Sequence, residues 1–203
     1  MATRGHEKYY NYIQFVTTNV YQRVKIFTIS KYNRILLINL DFYRKKYHFR
    51  LLGYVIMPNH CHFLIMPNTE IGYISKIMHD WKSYTAQVIL KELRLAGQGT
   101  SREAQAPCLG RGDALSASTN VEAGQGALPS GGVDIISLIS AGRLWQSRFD
   151  SFSIYSDKKF EEKLNYIHNN PIRAGLVKNL DDYPWSSYQN YYLNNNSIIK
   201  INY

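Results

Sequence analysis

Hydrophobic residues recur along the chain with two different spacings, and these predict an alternation of strands and helices. Alternating and β-branched apolar residues predict strands at 12–18, 49–57 and 61–66. Apolar residues three and four positions apart predict one helix within 31–47 and another over 70–94. Proline and asparagine between the second and third strands favour a tight turn, so these two strands should form a hairpin.

The last third of the chain adds a strand and a helix. Apolar and aromatic residues predict a last strand at 143–149, followed by a helix over about 157–169. Ser156 or Asp157 can cap this helix, and Pro171 should end it. The order β-α-β-β-α-β predicts an α+β fold, a ferredoxin-like split βαβ. We expect an antiparallel sheet of about four to five strands with helices on one face, plus the helix near the C-terminus.

Residues 97–133 differ in composition from the rest of the chain. They hold 8 of the 13 glycines and contain no Lys, Tyr, Phe, Trp, Ile or His. Such a segment has too little apolar surface to offset its ordering entropy. The flanking residues use amino acids of AT-rich codons, whereas this segment uses those of GC-rich codons. We therefore expect a disordered, low-complexity insertion in a surface connection of a single domain spanning residues 1–203.

The net charge of +9 and the pI near 9.4 predict a polyanionic partner. Many basic residues alternate with aromatic ones, and 17 residues are tyrosine, a composition that suits single-stranded nucleic acid. A solvated basic surface over a tyrosine-rich core explains the composition equally well. The candidate DNA-binding residues are Arg23, Arg44, Lys45, Lys46, Arg50, Lys82, Arg148 and Arg173.

Several features point to the cell interior. No apolar run reaches the roughly 18 residues of a membrane span, and the first residues lack the apolar middle of a secretion signal. Cys61 lies in a predicted strand and Cys108 in an irregular stretch, so no disulfide is expected. We expect a cytoplasmic protein with no membrane partner.

Two histidines mark the start of the third predicted strand. Side chains alternate between the two faces of a strand, so His60 and His62 should point the same way and Cys61 the opposite way. Two imidazoles on one face form half of a metal site. A structural role for the pair is, from the residues alone, about as plausible.

The helix over 157–169 offers a second set of polar groups. Its predicted buried stripe consists of Phe160, Leu164 and Ile167. Tyr166 lies roughly 120° from the centre of this stripe, and Asn170 lies about 40° from Tyr166. A tyrosine off the packing face, with an amide one turn later, is poorly explained by core formation. If the helix lies near the histidines, Asn170 can complete a three-ligand site with the phenol beside it.

Such a site has a definite chemistry. Nitrogen and oxygen ligands suit Mn²⁺, or Mg²⁺ with help from phosphate, although the histidines would also accept Zn²⁺. A bound cation can polarise a phosphodiester, which an assisted phenol can attack to form a phosphotyrosine. Two alternatives stay open: a nucleic-acid-binding module without catalysis, and a zinc hydrolase, which lacks the Glu of an H-E-x-x-H pattern.

Four segments resemble a known family. Residues 54–65 resemble the HUH motif (histidine, hydrophobic residue, histidine) of single-tyrosine transposases. Residues 145–149, 164–177 and 182–188 resemble one branch of that family, the REP-associated tyrosine transposases, which are related to the smallest insertion-sequence transposases. The resemblance covers nearly the whole chain except 97–133, and its motifs follow the family's order.

The resemblance implies a ferredoxin-like fold that recognises DNA hairpins of palindromic repeats and cleaves the adjacent single strand. The expected products are a 5′-phosphotyrosine and a free 3′-OH. It also implies that His60 and His62 bind Mg²⁺ or Mn²⁺, that Tyr166 is the nucleophile, and that Asn170 takes the place of the third ligand. A monomer is favoured over a homodimer. An insertion that crossed the DNA groove would leave the protein folded but inactive.

Overall fold

A computed structural model describes residues 12–97 and 132–202, so residues 98–131 of the predicted insertion and Cys108 lie outside the described residues. The strands are β1 (Ile13–Asn19), β2 (Arg50–Met57), β3 (His60–Met66) and β4 (Asp150–Ile154). The helices are α1 (Ser30–Tyr47), α2 (Ile74–Gly97), α3 (Gly132–Ala141), α4 (Asp157–Arg173) and α5 (Tyr188–Leu193). None of the helices in these two ranges is long and apolar enough to cross a bilayer.

The four strands form one antiparallel sheet in the order β2-β3-β1-β4. This is the order of the predicted ferredoxin-like fold, because each βαβ half encloses a strand of the other half. The predicted hairpin between β2 and β3 is present, with Pro58 and Asn59 as its turn. In the centre of the sheet, Thr17 of β1 lies opposite His62, and Asn19 lies opposite His60.

One face of the sheet packs against α1 and α2. Phe63 of β3 lies edge to face with Trp81 of α2, with ring centres 5.2 Å apart. The indole nitrogen of Trp81 donates to the carbonyl of Leu36 in α1 at 3.1 Å, which fixes the two helices to each other. Fully buried aliphatic and aromatic side chains fill this layer, which is therefore the main hydrophobic core.

The opposite face packs against α4. Ile167 is fully buried there, and the half-buried Phe160 and Leu164 pack against the same cluster as Val55 and Leu64 of the sheet. Helices therefore lie on both faces of the sheet, and α4 covers its face separately from α1 and α2. As a result, the two faces of β3 have different neighbours.

The predicted last strand was wrong in position: residues 143–149 are irregular, and β4 occupies 150–154. The apolar residues that suggested a strand are used in the helix-side core, where Trp145 packs on Trp81 with ring centres 5.1 Å apart. The Lys82 ammonium donates to two carbonyls of this segment, at 2.7 and 3.0 Å. The actual β4 is a polar edge strand, which gives a weak hydrophobic signal.

The end of α4 also differs from the prediction. Ser156 does cap the helix, since its hydroxyl accepts the N–H of Lys159 at 3.3 Å. Pro171 does not end it, because α4 continues to Arg173. A proline in the last turn removes one hydrogen bond without blocking the residues that follow. Gly175, with φ of +66°, then reverses the chain.

Two helices were not predicted. The apolar residues of α3 follow a glycine-rich stretch without a cap signal, and α5 is only 6 residues long. Both depend on tertiary contacts, since short helices are marginal by themselves.

The segment before α5 holds α4 in place. It lies beside β2, where the N–H of Ile56 donates to Trp185 at 2.9 Å and the N–H of Ser187 donates to Tyr54 at 2.9 Å. The Ser187 hydroxyl oxygen accepts the N–H of Tyr54 at 3.0 Å and lies 2.9 Å from Nε2 of His168 in α4. Burial lowers the pKa of His168 to about 4, so this imidazole is neutral and can accept the hydroxyl proton. The register of α4 on the sheet is therefore fixed next to Tyr166.

Candidate metal and tyrosine site

His60 and His62 project from β3 on the face that α4 covers. Their ring centres are 4.9 Å apart. Cys61, between them, points into the opposite core, where it is fully buried with a free thiol. The strand alternation expected from the sequence thus holds, and the two imidazoles share one face.

Hydrogen bonds fix the tautomer of His60. The amide nitrogen of Asn59 donates to the carbonyl of Arg23 at 3.1 Å, which leaves the amide oxygen facing Nδ1 of His60 at 2.7 Å. An amide oxygen only accepts, so Nδ1 carries the proton and Nε2 keeps its lone pair. The imidazole therefore has one nitrogen available as a ligand.

His62 is held in a similar way by the neighbouring strand. Its Nδ1 lies 2.9 Å from the hydroxyl of Thr17. Its Nε2 is buried and has no hydrogen-bond partner among residues 12–97 and 132–202. A buried polar atom without a partner is unfavourable unless a ligand completes it.

Both imidazoles are neutral at pH 7. Burial, and secondarily the charge of Arg23, lowers the pKa of His60 to about 4. Burial, then His60 and Lys163, lowers the pKa of His62 to about 3. Neutral imidazoles are the form that binds metal ions. The environment therefore suits a cation better than a proton.

Tyr166 of α4 lies beside this pair in the same chain. Its ring centre is 5.5 Å from that of His62 and 6.0 Å from that of Phe15. The side chain is half-buried and packs against the α4-side cluster. The sequence predicts that this tyrosine lies off the packing face of the helix. In the structure, one side of its ring packs against the sheet and the other side is open to solvent.

Asn170 lies one turn after Tyr166 and is buried. Its amide nitrogen Nδ2 has no hydrogen-bond partner within the described part of the chain. The buried face of α4 thus includes Ile167, His168 and Asn170, and it is more polar than the predicted stripe. The role of Asn170 as the third ligand stays a prediction.

Two cations flank the Tyr166 ring. The Lys163 ammonium lies 5.3 Å from the ring centre and the Arg173 guanidinium 5.4 Å from it. The prediction from the sequence did not include Lys163. This residue precedes Tyr166 by three positions and Arg173 follows it by seven, so the three side chains share one side of a helix. Two positive charges beside a phenol suit a bound phosphate.

The other predicted DNA-binding residues are divided between the two ends of the sheet. Arg23 is exposed next to the hairpin turn and close enough to affect both imidazoles. Arg148 is exposed, whereas Lys82 is buried, and burial lowers its pKa to about 8. The carbonyl contacts of Lys82 give it a structural role in holding the segment before β4.

The remaining four basic residues lie at the far end. Arg50 of β2 lies opposite Met66 of β3 in the strand pairing. Met66 is six residues along β3 from His60, a distance of about 20 Å. The Arg44 guanidinium donates a hydrogen bond to the side-chain oxygen of Asn202 at 3.1 Å and forms an ion pair with Asp41. Lys45 pairs with the same Asp41 carboxylate at 2.8 Å, and the Lys46 ammonium lies over the rings of Tyr43 and Tyr47. These residues are remote from the histidines, and DNA contact by them stays a prediction.

The donor set fits a divalent cation. Two neutral imidazoles lie side by side, and Nε2 of His62 is buried without a partner in the described part of the chain. Among the described residues, no group of three or more His, Cys, Asp or Glu side chains could hold a metal ion. The remaining ligands would have to be amide oxygens, water or phosphate oxygens, which are those that Mg²⁺ and Mn²⁺ prefer.

Comparison with known proteins shows which proteins this chain is similar to. Residues 7–101 match the family model described as "Transposase IS200 like", a range that includes β1 to β3 and the paired histidines. The fold is also that of a solved REP-associated tyrosine transposase bound to a REP hairpin, with a TM-score of 0.58 and 16% sequence identity. The match covers 93% of this chain and 83% of that one, and it confirms the predicted fold.

The similar curated proteins are REP-associated tyrosine transposases. One from Haemophilus influenzae is 24% identical over 143 residues, which are 70% of this chain and 60% of that protein. One from Escherichia coli K12 is 36% identical over 45 residues, 22% of this chain and 27% of that protein. The chain thus spans less than two thirds of either relative. The predicted resemblance to the REP-associated tyrosine transposases is confirmed.

Proposed function

We propose that this protein is a metal-dependent endonuclease and strand transferase that acts on single-stranded DNA beside a hairpin. One observation carries the proposal: the Tyr166 ring lies 5.5 Å from His62, whose buried Nε2 has no partner among the described residues, and His62 lies 4.9 Å from His60. A potential nucleophile and two metal-type nitrogen donors thus lie side by side.

The residues around this site can bind and orient a phosphodiester. Lys163 and Arg173 flank the phenol, and Arg23 lies on the histidine side. Their charges attract the DNA backbone and stabilise the negative charge of the reacting phosphate. The pairing of α4 with β2 through His168 and Ser187 keeps the phenol in register, which reduces the entropy cost of attack.

The proposed reaction forms one bond and breaks one. The hydroxyl oxygen of Tyr166 bonds to phosphorus, and the bond from phosphorus to the 3′ oxygen breaks. The phenol proton passes to solvent, and the leaving 3′ oxygen takes up a proton. Held by His60, His62 and Asn170, Mg²⁺ or Mn²⁺ would polarise the phosphodiester and offset the developing charge. The products are a 5′-phosphotyrosine and a free 3′-OH, and the reverse reaction rejoins a strand.

Two observations support the substrate and the subunit arrangement. The structural relative binds a REP hairpin, which supports hairpin DNA as the partner of this chain. Tyr166 lies beside the histidines of its own chain, which supports a monomer that needs no second copy to complete the site.

The test is a covalent-adduct assay with DNA hairpins that carry single-stranded flanks of randomised sequence. With Mn²⁺, the 3′-labelled strand should migrate with the protein on a denaturing gel, and the 5′-labelled strand should be shortened. Tyr166→Phe should bind the hairpin but form no adduct. Tyr192→Phe, which removes the hydroxyl of an exposed tyrosine on α5, is the matched control and should form the adduct.

Two results would contradict the proposal. An adduct in Tyr166→Phe would show that another residue is the nucleophile. Salt-dependent hairpin binding by the wild-type protein, with neither cleavage nor adduct in any divalent metal, would identify the chain as a non-catalytic hairpin-binding protein.

A further inference from the structure

We propose that Asn19 of β1 is an additional oxygen ligand for the divalent cation, or holds a water molecule that is. No prediction from the sequence singled out this residue. The inference rests on the metal site of the proposed function, and it adds a donor from the neighbouring strand to those of β3 and α4.

The strand register brings Asn19 to the site. It is the residue directly opposite His60 in the antiparallel pairing of β1 with β3. Directly opposed residues project to the same face, with Cβ atoms about 4.5–5.5 Å apart. Two residues earlier, Thr17 faces His62 and contacts its Nδ1, so this part of β1 follows the regular alternation.

The amide oxygen of Asn19 is left unpaired by the described residues. The side chain is 7% exposed, and Oδ1 is fully buried without a hydrogen-bond partner among residues 12–97 and 132–202. Leaving such an oxygen unsatisfied is unfavourable. A cation or a cation-bound water beside His60 would satisfy it.

The backbone of Asn19 is rigid, which suits a ligand. Its carbonyl accepts the N–H of Gln146 at 2.9 Å, and Val20 forms a bridge with Trp145 on the same side of β1. β1 is therefore paired on both sides at this point. A donor on a central strand needs little ordering when the ion binds.

Asn19 is better prepared than Asn170 to donate an oxygen. The unpaired atom of Asn170 is the amide nitrogen, which cannot bind a cation, so this side chain would have to turn over by about 180°. In Asn19 the unpaired atom is already the oxygen. Amide oxygens complement the two neutral imidazoles without adding negative charge, which leaves room for phosphate at the ion.

The test is the affinity for Mn²⁺ alone, without DNA, measured on the full chain by calorimetry and by the loss of the free Mn²⁺ electron paramagnetic resonance signal. Asn19→Ala should weaken binding about 10-fold or more. Asn19→Asp, which keeps an oxygen at the same position and adds charge, should bind at least as tightly as the wild type. The melting temperature without metal verifies that each variant is folded.

Thr18→Val is the matched control. Its hydroxyl is also buried without a partner in the described chain, but it lies opposite Cys61 on the other face of the sheet. This variant should bind Mn²⁺ like the wild type. Unchanged affinity in Asn19→Ala, or an equal loss in Thr18→Val, would overturn the inference.

His60→Ala separates this inference from the proposed function. If the wild type binds Mn²⁺ no better than His60→Ala does, the metal site itself is wrong. If binding requires His60 but not Asn19, only the present inference fails.

Discussion

The two faces of strand β3 lie within one strand and yet have opposite characters. Cys61, Phe63 and Ile65 enter a core made by α1 and α2, where all three are fully buried among apolar side chains. His60 and His62 face α4, where the buried atoms include imidazole nitrogens and amides without hydrogen-bond partners in the described chain. Along β3 one face is therefore apolar, and the other carries imidazoles beside buried polar atoms that have no partner in the described chain.

The difference shows how a small fold supports a reactive site. Because strand residues alternate with period two, the strand that carries the histidines is held by the aromatic core behind it. The larger hydrophobic cluster lies on the α1–α2 face, so the α4 face can keep some buried polar atoms at a cost in free energy. Substitutions on the two faces should therefore have separable effects.

The largest effect should come from His60→Ala. We expect loss of metal-dependent DNA cleavage by at least about 10³-fold, because a donor of the reacting centre is removed. The unfolding free energy should change by less than about 1 kcal/mol, since this neutral side chain is only partly buried. Single-turnover cleavage and thermal melting measure the two quantities. A large drop in melting temperature would instead make the histidine structural.

The core face should respond in the opposite way. Phe63→Ala removes a fully buried ring packed on Trp81 and should cost about 3–5 kcal/mol of unfolding free energy. Denaturant titration measures this loss. Below the melting transition, the Mn²⁺ affinity of this variant should stay close to that of the wild type. A variant as stable as the wild type would contradict the division between the faces.

The pH dependence of stability should originate on the α4 face. The pKa of His168 is about 4 in the folded protein and about 6.5 in an unfolded chain. Its contribution is fully present above pH 6.5 and is lost as the pH falls toward 4, because only the unfolded chain takes up the proton. The loss is on the order of 3 kcal/mol. In His168→Gln the unfolding free energy should fall less steeply over this range.

The buried histidines at positions 60 and 62 titrate in the same direction, so the wild-type slope includes their contributions. The difference between the pH slopes of wild type and His168→Gln isolates the contribution of His168. An identical slope in the two proteins would show that the pKa of His168 is not lowered.

The smallest effect should come from Lys163→Gln. Loss of the charge of this half-buried lysine should weaken hairpin binding by about 10-fold at low salt and reduce the salt slope by about one. Lys158→Gln, an exposed lysine on the same helix, serves as a matched control and should change binding less. Fluorescence anisotropy at several salt concentrations measures both. Equal effects would mean that net charge alone, without the position beside Tyr166, determines binding.

Much of the fold followed from local pattern, and the failures have physical causes. The hairpin turn, β1, β2, β3 and the cap of α4 at Ser156 are local features that periodicity and turn chemistry determine. The segment with Trp145 was mistaken for a strand because its apolar residues serve the helical core and its carbonyls bond to Lys82. Such long-range partners leave no periodic signal.

The candidate site was predictable to a similar degree. Strand alternation placed His60 and His62 together, and helical spacing put Asn170 one turn from Tyr166. Lys163 was available from the same helical spacing but was not considered. Asn19 could not be found, since its position opposite His60 depends on the pairing of two strands that lie about 40 residues apart.

The sequence by itself determined which side chains share a face of each strand and helix, because that depends on backbone periodicity alone. It also carried the paired histidines and the family motifs. Only the tertiary structure decided that α4 packs on the histidine face of the sheet, that Tyr166 lies beside His62, and that Asn19 faces His60. Those choices depend on register and on packing between distant segments, where many arrangements compete until the whole core is formed.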